Sequence, residues 1–282
     1  MTPRPPLTLS RQPRLALILG NSDYNRDGDT VDGRSSDSVR LQNFAPDLPN
    51  ATNDASDVAT AFRAVGFTSV NLVLNADRSQ MTSTDFAFEQ KIKAAGPDAI
   101  VVRSYAGHAI QVSGVNFIVP SGATLPNLDF TRLTDAEAEY RLVANAIALN
   151  GLYDRLKSPS SVGLNWLMLD ACRRNPWETR SVGRSVDGQS RVARGLAHVR
   201  LGLRRTAVAC ATKPGDIAED GYGRNSPYTA ALKAWLARPG VNVRDLFDRV
   251  GAQVERDTNG RTPPWFLSST LGGVCLGPRE SA

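Results

Sequence analysis

The chain has 282 residues, 41% hydrophobic and 22% charged, with a net charge of +5, enough to bury a large core as one large domain or two small ones. No run approaches the roughly 20 apolar residues a membrane span needs. Three cysteines, an odd and sparse set, do not make a disulfide framework. The first 13 residues are a polar, proline-rich tail without an apolar signal core, so the cytoplasm is the expected location and no membrane partner is expected.

The charge is local. Between Arg173 and Arg205 stand nine arginines against Glu178 and Asp187, a net of +7 that leaves −2 for the rest. Such a segment is one form of nucleic-acid patch, and a nucleic-acid-binding α/β module stands as a third reading. Only Trp177 interleaves the arginines as an aromatic, so nucleic acid is not an expected partner.

In chain order, Arg14 to Gly20, RLALILG, reads as a first strand. Residues 25–50 are rich in Asp, Ser, Asn and Gly without periodicity, a long loop. Asp27, Asp29 and Asp32 resemble the start of a calcium loop. Val31 occupies a ligand position and no glutamate closes the spacing, so a solvated loop and no metal are expected. A helix starts at Asn53 or Asp54, carries an apolar face of Val58, Ala61, Phe62 and Val65, and stops at Gly66. Val70 to Leu74 is a second strand, and Thr82 to Ala95 an amphipathic helix ended by Gly96.

Ala99 to Tyr105 is a third strand, running out at Ala106-Gly107-His108. Val115 to Val119 is a short strand of a hairpin. A helix is expected over Leu142 to Leu156, and a further main strand over Leu164 to Asp170. After the basic segment come a strand at 206–211 and helices near 228–237 and 242–256. The alternation argues for an α/β fold with a mostly parallel sheet and helices on both faces.

Two strands end in reactive groups, one at His108 and one at Asp170-Ala171-Cys172. Ligands of open α/β sheets bind at the carboxyl ends of strands, so both would project over one edge. A thiol becomes a nucleophile as thiolate, and a neighbouring imidazole supplies the base. The other thiols read differently: Cys210 sits in an apolar run as a small buried hydrophobe, and Cys275 carries no role. His198 lies in the basic segment, and no His/Cys spacing suits zinc. Acyl transfer also needs oxyanion donors, which the backbone N–H groups of Ala109 and Cys172 could supply.

Five segments together resemble the caspase-type cysteine peptidases, closest to the bacterial metacaspase-like (orthocaspase) members. They are LALILGNS at 15–22, LPNATNDA at 48–55, SYAGHAIQ at 104–111 followed by GVNFIVP, LMLDACRRNPW at 167–177, and ATKPGDIAEDGYGRNSPYTAAL at 211–232. The likeness runs from Arg14 to Leu271. It implies the caspase–hemoglobinase fold, with a large-subunit part at 14–172, a basic intersubunit linker at 173–205 and a small-subunit part at 206–282, after the tail 1–13. It also implies His108 as base and Cys172 as nucleophile.

The resemblance carries further expectations. Asp54, Asp170 and Asp220 stand where relatives line the substrate pocket, and acids there favour an Arg or Lys side chain through charge-assisted hydrogen bonds. The expected substrate is a protein or peptide cut after Arg or Lys. Arg180, Arg184, Arg191 and Arg194 lie among Ser, Gly and Val in the linker and are candidate self-cleavage sites. Relatives usually carry Ser at the position of Ala106 and Gly at that of Ala109. Residues 110–122 hold no Asp or Glu, so neither calcium nor another cofactor is expected. No recruitment domain is read, which leaves targeting to a separate regulatory protein or to the 25–50 loop. The alternative is a catalytically inactive caspase-fold scaffold.

Overall fold

The computed structural model describes residues 12–26, 28, 45, 47–125, 132–149, 151, 163–171, 196–197, 205–216, 218–269, 274 and 276. Strands β1 (Arg14–Gly20), β2 (Ser69–Leu74), β3 (Ile100–Gly107), β7 (Leu164–Ala171), β8 (Thr206–Cys210) and β9 (Trp265–Ser268) form one six-stranded sheet in the order β2-β1-β3-β7-β8-β9. All neighbours are parallel except β8 and β9. The central strands β3 and β7 are buried at every residue, as expected for parallel strands covered on both faces. A second, antiparallel sheet joins β4 (Ala109–Val112), β5 (Val115–Ile118) and β6 (Ile147–Ala148).

Helix α1 (Ala51–Ala64) packs against β1. Their approach requires glycine: a Cβ on Gly20 would sit 2.5 Å from Ala55 Cβ and 2.8 Å from the Ala51 carbonyl oxygen. Helices α4 (Pro227–Leu236) and α5 (Val243–Asp257) pack on each other, and α1 on α4. Trp166 of β7 ties this layer together. It meets Phe62 of α1 edge-on at 5.6 Å and Phe247 of α5 at 5.0 Å, and Phe247 in turn stacks on Phe266 of β9 at 3.9 Å. Each such pair adds about 0.5–1.5 kcal/mol to the burial of the rings.

Side chains alternate along β1, so Leu17 and Leu19 face the opposite layer. There α2 (Arg78–Ala95) buries Met81, Phe88 and Ile92. A cavity of about 180 Å³ lies between α2 and the sheet, lined by Leu17, Leu19, Met81, Tyr105, Leu167 and Leu169 among others.

Several expected boundaries move. Helix α1 starts at Ala51, before Asn53 or Asp54, with Asn50 at the N-cap and no cap bond from its side chain. Ser22 Oγ instead accepts the Thr52 N–H at 2.9 Å. Helix α2 starts at Arg78, a turn before Thr82, because Asp77 and Gln80 close a reciprocal capping box. The helix expected over Leu142 to Leu156 is not continuous. Helix α3 (Asp135–Val143) has its own capping box, Thr134 with Glu137, and ends before β6. Residues 149 and 151 are helical again, and 152–162 lie outside the described residues. Strand β9 was not expected at all.

Candidate active site

The two reactive strand ends are neighbours. Strands β3 and β7 run parallel in register, with Ala106 opposite Asp170 and Gly107 opposite Ala171. In the sequence His108 directly follows β3 and Cys172 directly follows β7. Paired strands lie about 4.8 Å apart. Cys172 itself lies outside the described residues, as do Arg180, Arg184, Arg191 and Arg194, Asp27, Asp29 and Asp32, His198 and Cys275.

His108 is buried, 4% exposed, and two tyrosines hold its backbone. The His108 N–H donates to Tyr24 Oη at 2.6 Å, and Tyr105 Oη lies 3.0 Å from the His108 carbonyl and 2.9 Å from that of Val119. The two hydroxyls are 3.2 Å apart. Tyr105 uses its single hydrogen on a carbonyl, so Tyr24 is the donor between the hydroxyls. The path from the His108 amide through both tyrosines back to a carbonyl is a closed chain, in which each bond polarises the next. The Tyr24 ring also packs 4.7 Å from the imidazole, tilted by 58°.

Gly107 makes this convergence sterically feasible. Its φ is +152°, and a Cβ there would lie 2.5 Å from Tyr105 Oη and 2.6 Å from Tyr24 Oη. Behind it, Asn21 is fully buried and staples four segments: its amide donates to the Ala106 carbonyl, its side-chain amide reaches the Ala76 and Val119 carbonyls, and its Oδ1 accepts from Ala76.

Ala109 opens the β4–β5 hairpin, which turns at Ser113-Gly114 with φ of 50° and 80°, the signature of a primed two-residue turn. Val119 N–H donates to the His108 carbonyl at 3.0 Å, which makes 108 and 119 the hydrogen-bonded pair. Bonded and non-bonded pairs alternate in antiparallel ladders. The Ala109–Ile118 pair is therefore non-bonded, and the Ala109 N–H points away from β5.

The acids gather on the opposite face from the cavity. Asp170 is 4% exposed. Its Oδ2 accepts from Ser226 Oγ in a short hydrogen bond and from Thr229 Oγ1 at 2.9 Å. Asp54 is fully buried in the first turn of α1, and its Oδ1 accepts the Asn225 side-chain amide and the Ser226 N–H, each at 3.0 Å. The expectation that Asp54 opens or caps the helix is thus corrected: its carboxylate is taken up by the 225–226 turn. Asp220 is half-buried, and its carbonyl accepts from Asn50 Nδ2 at 2.7 Å, at the start of the same helix. All three acids come together around the N-termini of α1 and α4.

Beside them Asp57 accepts from Lys233 Nζ at 2.5 Å and from Arg224 at 3.2 and 3.3 Å. Burial alone would raise its pKa. The hydrogen bonds from Arg224, Lys233 and Asn225, with the charge of Lys233, outweigh that and hold it down to about 2. Burial, and then the negative charge of Asp170, push the Tyr228 phenol well above its ordinary value, so it stays neutral. Burial pushes the Cys210 thiol up to about 12, which fits an inert core residue.

At the position of Ala106 a serine is usual among the relatives noted above. Ala106 lies beside Asp170 in register, and here the hydroxyls on Asp170 come from α4. Sequence reasoning passed over Tyr24, Asn21, Ser226 and Thr229. Of these, only Ser226 had a legible signal, as a serine directly before Pro227 at a helix start. Among the described residues no group of three or more His, Cys, Asp or Glu is placed to hold a metal ion, and no helix is long and apolar enough to cross a membrane.

The model of the caspase domain matches residues 13–274. Among solved structures, the chain is similar to caspase-1 from Spodoptera frugiperda, with 11% identity and a TM-score of 0.61 over 95% of this chain and 93% of that one. It is also similar to protein GSU0716 from Geobacter sulfurreducens, with 16% identity and a TM-score of 0.60 over 95% of this chain and all of that one. A search of curated proteins found no match.

Proposed function

Because this chain belongs to the caspase-domain family, we propose that it is a cysteine endopeptidase that cuts after Arg or Lys, with Cys172 as nucleophile and His108 as base. The observation that carries the proposal is the β3–β7 register, which ends with Gly107 opposite Ala171, the residues that directly precede His108 and Cys172 in the sequence. A thiol and an imidazole on adjacent strands at the carboxyl edge form the minimal set for acyl transfer.

In the proposed reaction, His108 takes the Cys172 thiol proton and the thiolate sulfur adds to the peptide carbonyl carbon. The oxyanion receives hydrogen bonds from the Ala109 and Cys172 amides. Collapse of the tetrahedral adduct breaks the C–N bond, and the leaving amine takes its proton from the His108 imidazolium. Water, deprotonated by the now neutral imidazole, hydrolyses the thioester and restores the thiol. The outward-directed Ala109 N–H and the fixed His108 backbone support these roles.

Asp54, Asp170 and Asp220 would form the wall that receives the basic side chain. Two buried carboxylates tied to one turn favour a cation beside them through charge-assisted hydrogen bonds. The same preference extends to the chain itself, with self-cleavage after Arg180, Arg184, Arg191 or Arg194. That would divide it into a part ending at the cut arginine and a part starting at the next residue, both ends lying within the 173–205 segment. A separate regulatory protein that targets the enzyme belongs to the same reading.

Fluorogenic peptides with Arg, Lys or Asp before the scissile bond test the reading, with Cys172→Ala as control. Release from Arg or Lys peptides alone, abolished in the control, is the expected result. A preference for Asp would overturn the pocket assignment, and activity surviving in Cys172→Ala would overturn the nucleophile. Intact-mass analysis of wild type against Cys172→Ala tests self-cleavage; identical masses under conditions that support peptide turnover would refute it.

A further inference from the structure

Ser226 touches both Asp54 and Asp170, and it does so with different atoms. Its backbone N–H donates to Asp54 Oδ1 at 3.0 Å, and its side-chain Oγ donates to Asp170 Oδ2. Asp54 comes from α1 and Asp170 from the end of β7, whereas Ser226 starts α4, more than fifty residues later in the chain. Ser226 is itself fully buried. Its Oγ also accepts the Thr229 N–H at 3.0 Å, so one oxygen caps the helix and donates to a carboxylate at once. The Thr229 hydroxyl adds a second donor to the same Asp170 oxygen.

Two carboxylates held across one residue repel each other, and repulsion favours outward rotation or protonation of one of them. Hydrogen-bond donors aimed at both oppose this and fix where the remaining oxygens point. We infer that Ser226 is a specificity-positioning residue: it orients the Asp54 and Asp170 carboxylates as a pair for the basic side chain of the substrate. It acts through the two acids and touches no reacting atom. The inference rests on the Arg/Lys reading, and it has a residue of the C-terminal part orient Asp54 and Asp170, the two pocket acids that lie on the N-terminal part.

Capping and positioning separate experimentally. Glycine is nearly as good an N-cap as serine, whereas alanine is poor. Ser226→Gly therefore keeps the helix while it deletes the donor to Asp170, and Ser226→Thr restores a hydroxyl. Hydrogen bonds to charged groups predict a fall in kcat/KM for Arg peptides of about 10- to 100-fold in Ser226→Gly, mainly through KM. Thr229→Val, which removes the second donor, falls in the same direction, and Ser226→Thr recovers most of the loss. The rate of Cys172 alkylation by iodoacetamide, which places nothing in the pocket, stays at the wild-type level.

An unchanged kcat/KM in Ser226→Gly overturns this inference alone. A parallel loss of alkylation also overturns it, since the serine would then serve the whole site and not the pocket. Failure of the wild type to turn over Arg or Lys peptides overturns the Arg/Lys reading and this inference together.

Discussion

Tyr24 and His108 meet twice, through a 2.6 Å hydrogen bond from the His108 amide to the tyrosine hydroxyl and through a 4.7 Å ring contact. The first contact sets the backbone from which the imidazole projects, and the second limits its rotation. Tyr24→Phe removes the first and keeps the second. The expected result is a drop in kcat of about tenfold with KM little changed, since a displaced base costs alignment and not binding. A variant with wild-type kcat would show that the hydroxyl serves packing only.

The acid pair carries a different signature. Asp54→Asn and Asp170→Asn keep the side-chain volume but remove a buried negative charge. Loss of one partner of a buried charge pair costs about 2–5 kcal/mol, roughly 30- to several-thousand-fold in kcat/KM for Arg peptides. Asp170→Asn also risks turning an amide towards Ser226 and Thr229, so its folding is to be checked by thermal melting. Alkylation of Cys172 by a small uncharged reagent should persist in both. Equal losses for Arg peptides and for alkylation would place the acids in general support of the fold.

Much of the fold could be read from the chain because buried parallel strands announce themselves as apolar runs, and RLALILG, IVVRSYAG and LNWLMLDA all do. His108 stood out as a histidine just after such a run. The element edges were less legible. The Thr134–Glu137 and Asp77–Gln80 boxes start helices in polar sequence, before the apolar periodicity sets in. Strand β9, with WFLS half-buried at an edge, alternates too weakly to declare its pairing. Thr229 and Tyr24 stayed hidden, and Ser226 was legible only as a helix cap, for a further reason. Each acts through a partner more than fifty residues away, and no local pattern encodes such a contact.

Asp57 links α1 to the 224–233 region, and its pKa of about 2 against an ordinary 3.8 makes that link pH-dependent. Its folded-state value is depressed, so the contribution is fully present above about pH 4 and disappears as pH falls towards 2. Asp57→Asn should lower stability by about 1 kcal/mol at neutral pH, and the gap between variant and wild type should close over that acidic window. Urea denaturation at pH 7, 4 and 2.5 measures it. A gap of equal size at pH 2.5 would mean that the carboxylate charge contributes nothing.

Thiol chemistry separates the cysteines. Cys210 is 2% exposed with a pKa near 12, so at pH 8 only about one molecule in ten thousand carries its thiolate. A nucleophile paired with an imidazole is alkylated orders of magnitude faster. Brief iodoacetamide treatment of the native protein at pH 8, followed by peptide mass mapping, should modify Cys172 and leave Cys210 intact. Denaturation before labelling should expose Cys210 and raise its modification to that of an ordinary thiol. His108→Ala should slow labelling at Cys172 and leave Cys210 unreactive in the native state. Rapid native labelling of Cys210 would contradict its place in the sheet, and Cys172 labelling indifferent to His108 would contradict the proposed dyad.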